Sequence, residues 1–347
     1  MKLSQNIPFT LIIDEFQEFT RINPSVFSEI QREWDLNKST SKLNLIISGS
    51  VFTLMKKIFE DYNEPLFGRA NQQILVKPFS TGVMKTVLRD FQPNYRNEDL
   101  LALFAISGGV PWYVSLLMDK RKWDKDSMLG YLTEDNSPFI NEGKNILIEE
   151  FGTDYTMYFS ILTCIAGGLK SRGELENELK ESNIGSYLTR LENYYGLIEK
   201  HLPIFAKENS KKTRYALSDC FLTLWFRFFF KYQAIVANDA LNQLDIIIRR
   251  DYDSFSGFML ERYFERKLRE SGQYTRIGRY WDRKGENEID LIAVNEIEGF
   301  AEIYEIKKQS KRYDEDALAS KVEHLLQNCK ELKGMRITMG VLSLEDM

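Results

Sequence analysis

The chain reads as an α/β multidomain protein, and three observations carry that reading. Phe9-Thr-Leu-Ile-Ile-Asp14-Glu15 and Leu43-Asn-Leu-Ile-Ile47 are short apolar runs with a helical stretch, Pro24 to Trp34, between them, the pattern of buried parallel strands joined by a crossover. From Thr81 to Leu117 the apolar period becomes helical and is broken once, at Gly108-Gly109-Val110-Pro111, where two glycines and a proline fix a tight turn. Near the C-terminus, Glu288 to Val294 and Ala301 to Lys307 are successive strand-like runs that each carry an acid.

Composition bounds what such a chain does. Its 347 residues suffice for two or three domains, and 43% hydrophobic with 28% charged residues is ordinary for a globular protein that buries real cores. Cys164, Cys220 and Cys329 are odd in number and form no C-x-x-C pair, and His201 and His324 lie far from them in sequence, so neither a disulfide framework nor a zinc site is expected. A reducing cytoplasm is the expected compartment. The densest apolar stretch, Phe221 to Phe230, is interrupted by Thr223 and Arg227, and the first residues show no signal-peptide pattern, so no membrane span is expected. A net charge of −5 gives no general attraction to nucleic acid.

The first strand ends as a metal-binding strand of a nucleotide hydrolase ends. Asp14 at the sheet rim is placed to hold Mg²⁺, and Glu15 to orient the water that attacks a γ-phosphate. Ser48 and Ser50 follow the second strand and share that rim; capping of the helix from Val51 to Phe59 is the other role open to them. Arg69 follows a glycine in Glu64-Pro-Leu-Phe-Gly-Arg69-Ala70, where it reaches either phosphate oxygens or a surface carboxylate. The phosphate-cradling loop G-x-x-x-x-G-K-[ST] is missing, and only eight residues precede the strand.

Taken in order, Leu11-Ile-Ile-Asp-Glu-Phe, Ile46-Ile-Ser-Gly-Ser, Leu66-Phe-Gly-Arg-Ala, Pro78-Phe and Gly108-Gly-Val-Pro resemble the archaeal-type ATPases of the AAA+/STAND superfamily. That resemblance implies Asp14 and Glu15 as the Walker B pair, Ser48 or Ser50 as the sensor-1 position, Arg69 as an arginine finger, and Gly109 with Pro111 as part of a helical lid. It also implies ATP and Mg²⁺ as cofactors, at a site left incomplete by the missing loop.

The third region, Thr153 to Lys231, predicts three short helices and a hairpin. Tyr158, Ile161, Leu162 and Ile165 make one helical face, Ser171 to Leu179 a second helix, and Tyr187 to Leu191 a third. Leu197 to His201 and Arg214 to Leu217 then pair across the basic segment from Lys207 to Lys212, which is the layout of a winged helix-turn-helix. Such modules contact DNA or protein. Between Ser182 and Lys200, Arg190 and Lys200 face Glu192 and Glu199, so the third helix is close to neutral and suited poorly to phosphate contact.

The C-terminal region carries a second set of acids. Asp290 lies on one strand, and Glu305 with Lys307 on the next, where a spacing of two puts both side chains on one face. Asp followed by Glu-x-Lys resembles the PD-(D/E)xK nucleases, and Glu261, on the amphipathic stretch Phe258 to Leu268, matches the helix-borne acid of that family. The resemblance implies that Glu261, Asp290 and Glu305 bind Mg²⁺ while Lys307 steadies the attacking water or the phosphate, as cleavage of an anionic phosphodiester requires. A solvated strand face bearing Glu302, Glu305, Lys307 and Lys308 is the alternative. From Glu261 to Lys284, eight Lys or Arg meet four acids, a local excess of positive charge that suits a polyanion. The segment also resembles the uncharacterised nuclease-like domain often fused to the C-terminus of the same ATPases.

The expected organisation is therefore the C-terminal half of an ATPase core over 1–80, a helical lid over 81–150, a winged helix over 151–235 and a restriction-endonuclease-like α/β domain over 236–347. Two functions compete: a nucleotide-dependent module acting with a DNA-directed nuclease-like domain, or a non-catalytic nucleic-acid- or protein-binding assembly module. Expected partners are DNA and another chain or upstream segment that completes the N-terminal sheet, since apolar residues such as Ile12 and Leu45 would otherwise be exposed. Oligomerisation is compatible with either function, and the chain reads as a fragment of a longer ATPase.

Overall fold

The computed structural model describes residues 1, 3–50, 52–151, 155–207, 210, 212–283 and 285–347. They form two compact units, one made of 1–76 with 188–197, the other of 77–187 with 198–347. Among the described residues no helix is long and apolar enough to cross a membrane.

In the first unit, β1 (Phe9–Ile13) and β2 (Leu43–Ile47) pair in parallel with Phe9 opposite Leu43 and Ile13 opposite Ile47. The short α1 (Phe19–Ile22) and then α2 (Val26–Asn37) make the crossover, and α3 (Phe52–Glu60) follows β2. Val51, expected to start that last helix, lies outside the described residues. Phe16, Phe27, Ile58 and Leu66 form a small core, with the Phe16 ring tilted against Phe27 at 5.3 Å. The sheet has an uncovered side: Ile12 is 64% exposed, Ile46 45% and Leu11 43%, while Leu45 is half-buried.

The second unit begins with α4 (Thr81–Phe91), α5 (Asn97–Ser107) and α6 (Pro111–Asp119). Apolar residues surround α5 on all sides, so it is buried from Asp99 to Ser107. Gly108 and Gly109 both take positive φ, and Pro111 opens α6 at its first position, as a ring without an N–H is suited to do. Gly109 is required sterically as well: an added Cβ would stand 2.6 Å from the Phe79 carbonyl oxygen, whose residue donates its N–H to the Gly109 carbonyl at 2.8 Å.

Next come α7 (Lys125–Leu132), α8 (Phe139–Phe151), α9 (Tyr155–Ala166), α10 (Arg172–Leu179) and α11 (Gly185–Asn193). Ser171 caps α10 in a reciprocal box with Glu174. The strands β3 (Ile198–His201) and β4 (Arg214–Leu217) form an antiparallel hairpin, with Ile198 opposite Leu217. Thr153 and parts of the basic hairpin segment, residues 208, 209 and 211, lie outside the described residues.

After α12 (Cys220–Leu224) the apolar run Trp225–Phe230 winds as a π-helix, and α13 (Gln233–Ala237) leads to α14 (Leu241–Ser271). Phe258 to Leu268, read from the sequence as one amphipathic helix, is only part of this 31-residue element. Leu241, Leu244, Ile248, Tyr252, Phe255, Met259 and Tyr263 recur every three or four residues along it and are buried. The closing sheet has the order β5 (Arg276–Trp281), β6 (Glu288–Asn295), β7 (Phe300–Ile306), β8 (Arg336–Leu342). Its first two pairings are antiparallel; β7 and β8 are parallel, and α15 (Glu315–Asn328) makes the crossover and packs on Ile292, Val294, Ala301 and Ile303.

Gly109→Ala should cost about 2 kcal/mol or more, because it combines a left-handed φ of 83° with a backbone collision. Urea unfolding checks this, and a midpoint matching wild type would show that the 108–111 turn tolerates a side chain.

Candidate functional sites

The first candidate site is a rim built by strand register. The pairing of Ile13 with Ile47 continues as Ser48 donates its N–H to the Ile13 carbonyl at 2.9 Å and Phe16 donates to that of Ser48 at 3.0 Å. Asp14, Glu15, Ser48 and Ser50 are thus brought together at the carboxyl ends of two parallel strands, where α/β sheets bind ligands. Ser48 Oγ donates to Asp14 Oδ1 at 2.6 Å, and the Glu15 N–H to the same oxygen at 3.0 Å. These two bonds, the serine's first, hold the Asp14 carboxyl below the usual aspartate range. Ser50 Oγ donates to Glu15 Oε2 at 2.8 Å, and Gln17 Nε2 donates to that oxygen also. Both serine hydroxyls therefore face the acids.

Glu15 has φ 47° and ψ 44°, a left-handed conformation that a residue with a Cβ adopts at a cost. Gly49 is the small residue that lets this rim close, since a Cβ there would fall 2.3 Å from Gln17 Oε1 and 2.5 Å from Met55 Sδ. Gln17 was not evident as a rim residue from sequence, although it stands two positions beyond Glu15. Arg69 takes the surface-carboxylate role: it chelates Asp35 on α2 at 2.6 and 3.2 Å and donates to the carbonyls of Pro65 and Phe67. This pairing lowers the Asp35 carboxyl.

A second cluster lies in the other unit, where α14, β5, β6 and β7 meet. Arg279 on β5 is at its centre, donating to Glu261 at 2.6 Å and twice to Glu265 at 3.2 and 3.3 Å. The Asp290 carboxylate accepts the Ile306 N–H at 2.8 Å, and Glu305 is paired with Lys307 at 3.0 Å and Lys321 at 3.7 Å. Burial pushes the Glu261 carboxyl up despite Arg279, and burial likewise raises that of Asp290 against its backbone hydrogen bond. In Glu265 burial is outweighed by Arg279, Arg269 and His201, which bring its carboxyl down.

As a shell for a divalent ion the three expected acids differ. Glu261 is already engaged, its charge met by the Arg279 guanidinium, and among the described residues no three His, Cys, Asp or Glu, these acids included, gather closely enough to hold a metal. Asp290 and Glu305 fit better, because they sense one another electrostatically and Glu305 Oε2 is buried with no hydrogen-bond partner among the described residues. An unsatisfied buried carboxylate oxygen is the kind of atom that a cation or a water completes. Arg279, Glu265 and Lys321 were not read as site residues from sequence. The Glu261-x-x-x-Glu265 spacing, which puts two acids on one helix face, was the available signal.

The second unit is thus a helical and α/β assembly whose last sheet carries a buried acid–arginine cluster. Residues 225–318 match the family described as archaeal and bacterial proteins of unknown function, DUF234. An uncharacterized protein of Methanocaldococcus jannaschii is 31% identical over 313 residues, which cover 86% of this chain and 67% of that protein. The chain belongs to the same family as this archaeal protein. Among solved structures, a Walker-type ATPase of Pyrococcus abyssi is similar, with 21% identity and a TM-score of 0.47; the similarity covers 63% of each chain.

The raised Asp290 carboxyl has a sign that can be measured. A folded pKa above the unfolded value means that stability falls as pH rises from the unfolded aspartate value through the folded one. Asp290→Asn, which keeps an oxygen for the Ile306 N–H, should therefore stabilise the chain at neutral pH, with the gain lost as pH falls through the folded value to about 4, the unfolded aspartate value. Urea titrations at pH 4 and 7 read the difference; equal effects at both would mean that charge burial is not its cause.

Proposed function

We propose that the chain is part of an ATP-hydrolysing, AAA+-type protein in which the first unit supplies the metal- and water-handling half of the nucleotide site. The carrying observation is the rim in which Ser48 holds Asp14 and Ser50 holds Glu15 at 2.6 and 2.8 Å across two parallel strands. Oxygen donors of this kind fit Mg²⁺, which binds to one or two carboxylates and completes its shell with water and phosphate. Bound there, Mg²⁺ would neutralise phosphate charge. Asp14, kept ionised by its two hydrogen bonds, would be the protein ligand. Glu15, fixed by Ser50 and Gln17, would accept a hydrogen bond from the attacking water and orient it. Arg69, committed to Asp35, enters no step of this scheme.

No G-x-x-x-x-G-K-[ST] loop occurs in the 347 residues, so most donors for β- and γ-phosphates are lacking. Calorimetry with Mg-ATP should accordingly give a Kd no tighter than about 1 mM, and Asp14→Ala should weaken it by about tenfold. Micromolar binding, or equal binding by the variant, would overturn this reading.

The second unit, in the same proposal, combines a helical lid, a winged helix and a nuclease-like fold that acts on DNA. Its supports are the hairpin after three short helices and the position of Asp290 within electrostatic reach of Glu305 and Lys307, which pair with each other at 3.0 Å. A second reading, a binding or assembly module that does not cut, is favoured by the closure of Glu261 on Arg279. Incubation of plasmid DNA with Mg²⁺ or Mn²⁺ separates the two. Cutting should fall at least about 100-fold in Asp290→Ala and Lys307→Ala if these residues handle metal and water. Cleavage unchanged in both variants removes them from catalysis, and DNA binding without cleavage supports the assembly module.

A further inference from the structure

A cavity of about 390 Å³ lies within the second unit, bounded by the β3–β4 hairpin, the π-helix, the middle of α14 and β5. Its volume is that of a small-ligand pocket. Seven Lys or Arg and four Asp or Glu line it, and what decides its potential is how those charges are met.

The acids are answered. Glu288 is chelated by Arg214 at 2.7 and 3.3 Å, Glu265 is held by Arg279 and Arg269, Glu199 lies 3.4 Å from His201, and Asp219 caps α12 by accepting the Leu222 N–H at 2.7 Å. Two cations, by contrast, make hydrogen bonds only to neutral groups, with Asp219 in electrostatic reach of Arg262. Arg262 donates to the carbonyls of Leu217 and Ser218 at 2.8 and 2.6 Å, and Arg227 to that of Ala166 at 3.4 Å. Carbonyl oxygens satisfy the N–H groups and leave most of the charge uncompensated.

Arg227 is singular in another respect. It is the one charged residue of the π-helix Trp225–Phe230, a winding that costs regular hydrogen bonding and that recurs at functional positions. The rings of Phe228 and Phe255, each 5.9 Å from its guanidinium carbon, flank it. Asp251 is the acid that senses it, and that acid is itself chelated by Arg250 at 2.7 and 2.8 Å. Beside this charge the wall is apolar, with Phe104, Ile165 and Phe258 among its residues.

We propose that this cavity binds a phosphorylated small molecule of nucleoside monophosphate size, with Arg227 and Lys170 receiving the phosphate and the apolar wall receiving the ring. Lys170 is on the cavity rim, 45% exposed and 3.9 Å from Glu288, so it can turn to an incoming anion without breaking a close pair. None of Asp14, Glu15, Asp290, Glu305 and Lys307 lines the cavity.

The test is calorimetry with AMP, adenosine and inorganic phosphate on the whole chain and on the Arg227→Gln, Lys170→Gln and Asp14→Ala variants, with folding checked by circular dichroism. AMP should bind at least tenfold tighter than adenosine or phosphate, lose about tenfold or more in Arg227→Gln and several-fold in Lys170→Gln, and be unchanged in Asp14→Ala. Should Arg227→Gln fail to fold, the exposed Lys170→Gln carries the decision. Absence of AMP binding at millimolar concentration, equal binding by folded Arg227→Gln, or binding of a single-stranded oligonucleotide in place of AMP would each overturn the proposal. Loss of AMP binding in Asp14→Ala would assign the signal to the nucleotide rim instead, and overturn it also.

Discussion

Arginine side chains on α14 that hydrogen-bond to backbone carbonyls are the constraint on which the second unit depends. Arg266 donates to Gly108, Phe79 and Pro78 at 2.6, 2.5 and 3.3 Å, tying the Pro78-Phe79 segment before α4 to the glycine turn between α5 and α6. Arg262, one turn earlier, ties the end of β4 to the start of α12. Loop carbonyls that would otherwise be buried without donors are satisfied from one helix, and each guanidinium offers the five donors such a task needs. Because the apolar stripe from Leu241 to Tyr263 fixes α14 in the core, the loops inherit its rigidity.

The same arrangement explains why charge accumulates where it does. An arginine used to organise carbonyls brings a full positive charge that those carbonyls do not cancel, so a helix that serves as a hub for loops generates a positive interior. Around Arg279 that charge is met in direct contact by Glu261 and Glu265; Arg227 and Arg262 bond only to carbonyls, with Asp251 and Asp219 as the acids in electrostatic reach. One end of the cluster is therefore a closed salt-bridge network and the other an open cavity.

The two parallel strands of the first unit and their shared rim were legible because β-branched runs and their acidic or hydroxylic ends are local signals. Phe9 to Glu15 and Leu43 to Ser50 sufficed to place four side chains on one rim. The hairpin Ile198–His201 with Arg214–Leu217 was legible for the same reason. Long-range pairings were not. Nothing near Arg69 in sequence indicates that Asp35, 34 positions earlier, takes its guanidinium, and nothing near Arg279 shows that a helix 18 positions earlier supplies its acceptors. The π-helix was hidden too, because a run of aromatic residues reads alike in any helical winding. Strand β8 escaped notice because it pairs in parallel with β7 after a crossover, a partner that hairpin logic does not reach.

Arg279 sets the relation between the carboxylate cluster and the cavity. It lines the cavity and also holds Glu261, so its guanidinium is shared between two environments. A guanidinium and a hydrated divalent ion are alternative partners for a buried carboxylate, and the bidentate, weakly hydrated arginine gives up less water on entering. Displacing it from Glu261 leaves a buried acid that already senses Asp290 unfavourably, so the two acids could then be ionised together only with another cation between them.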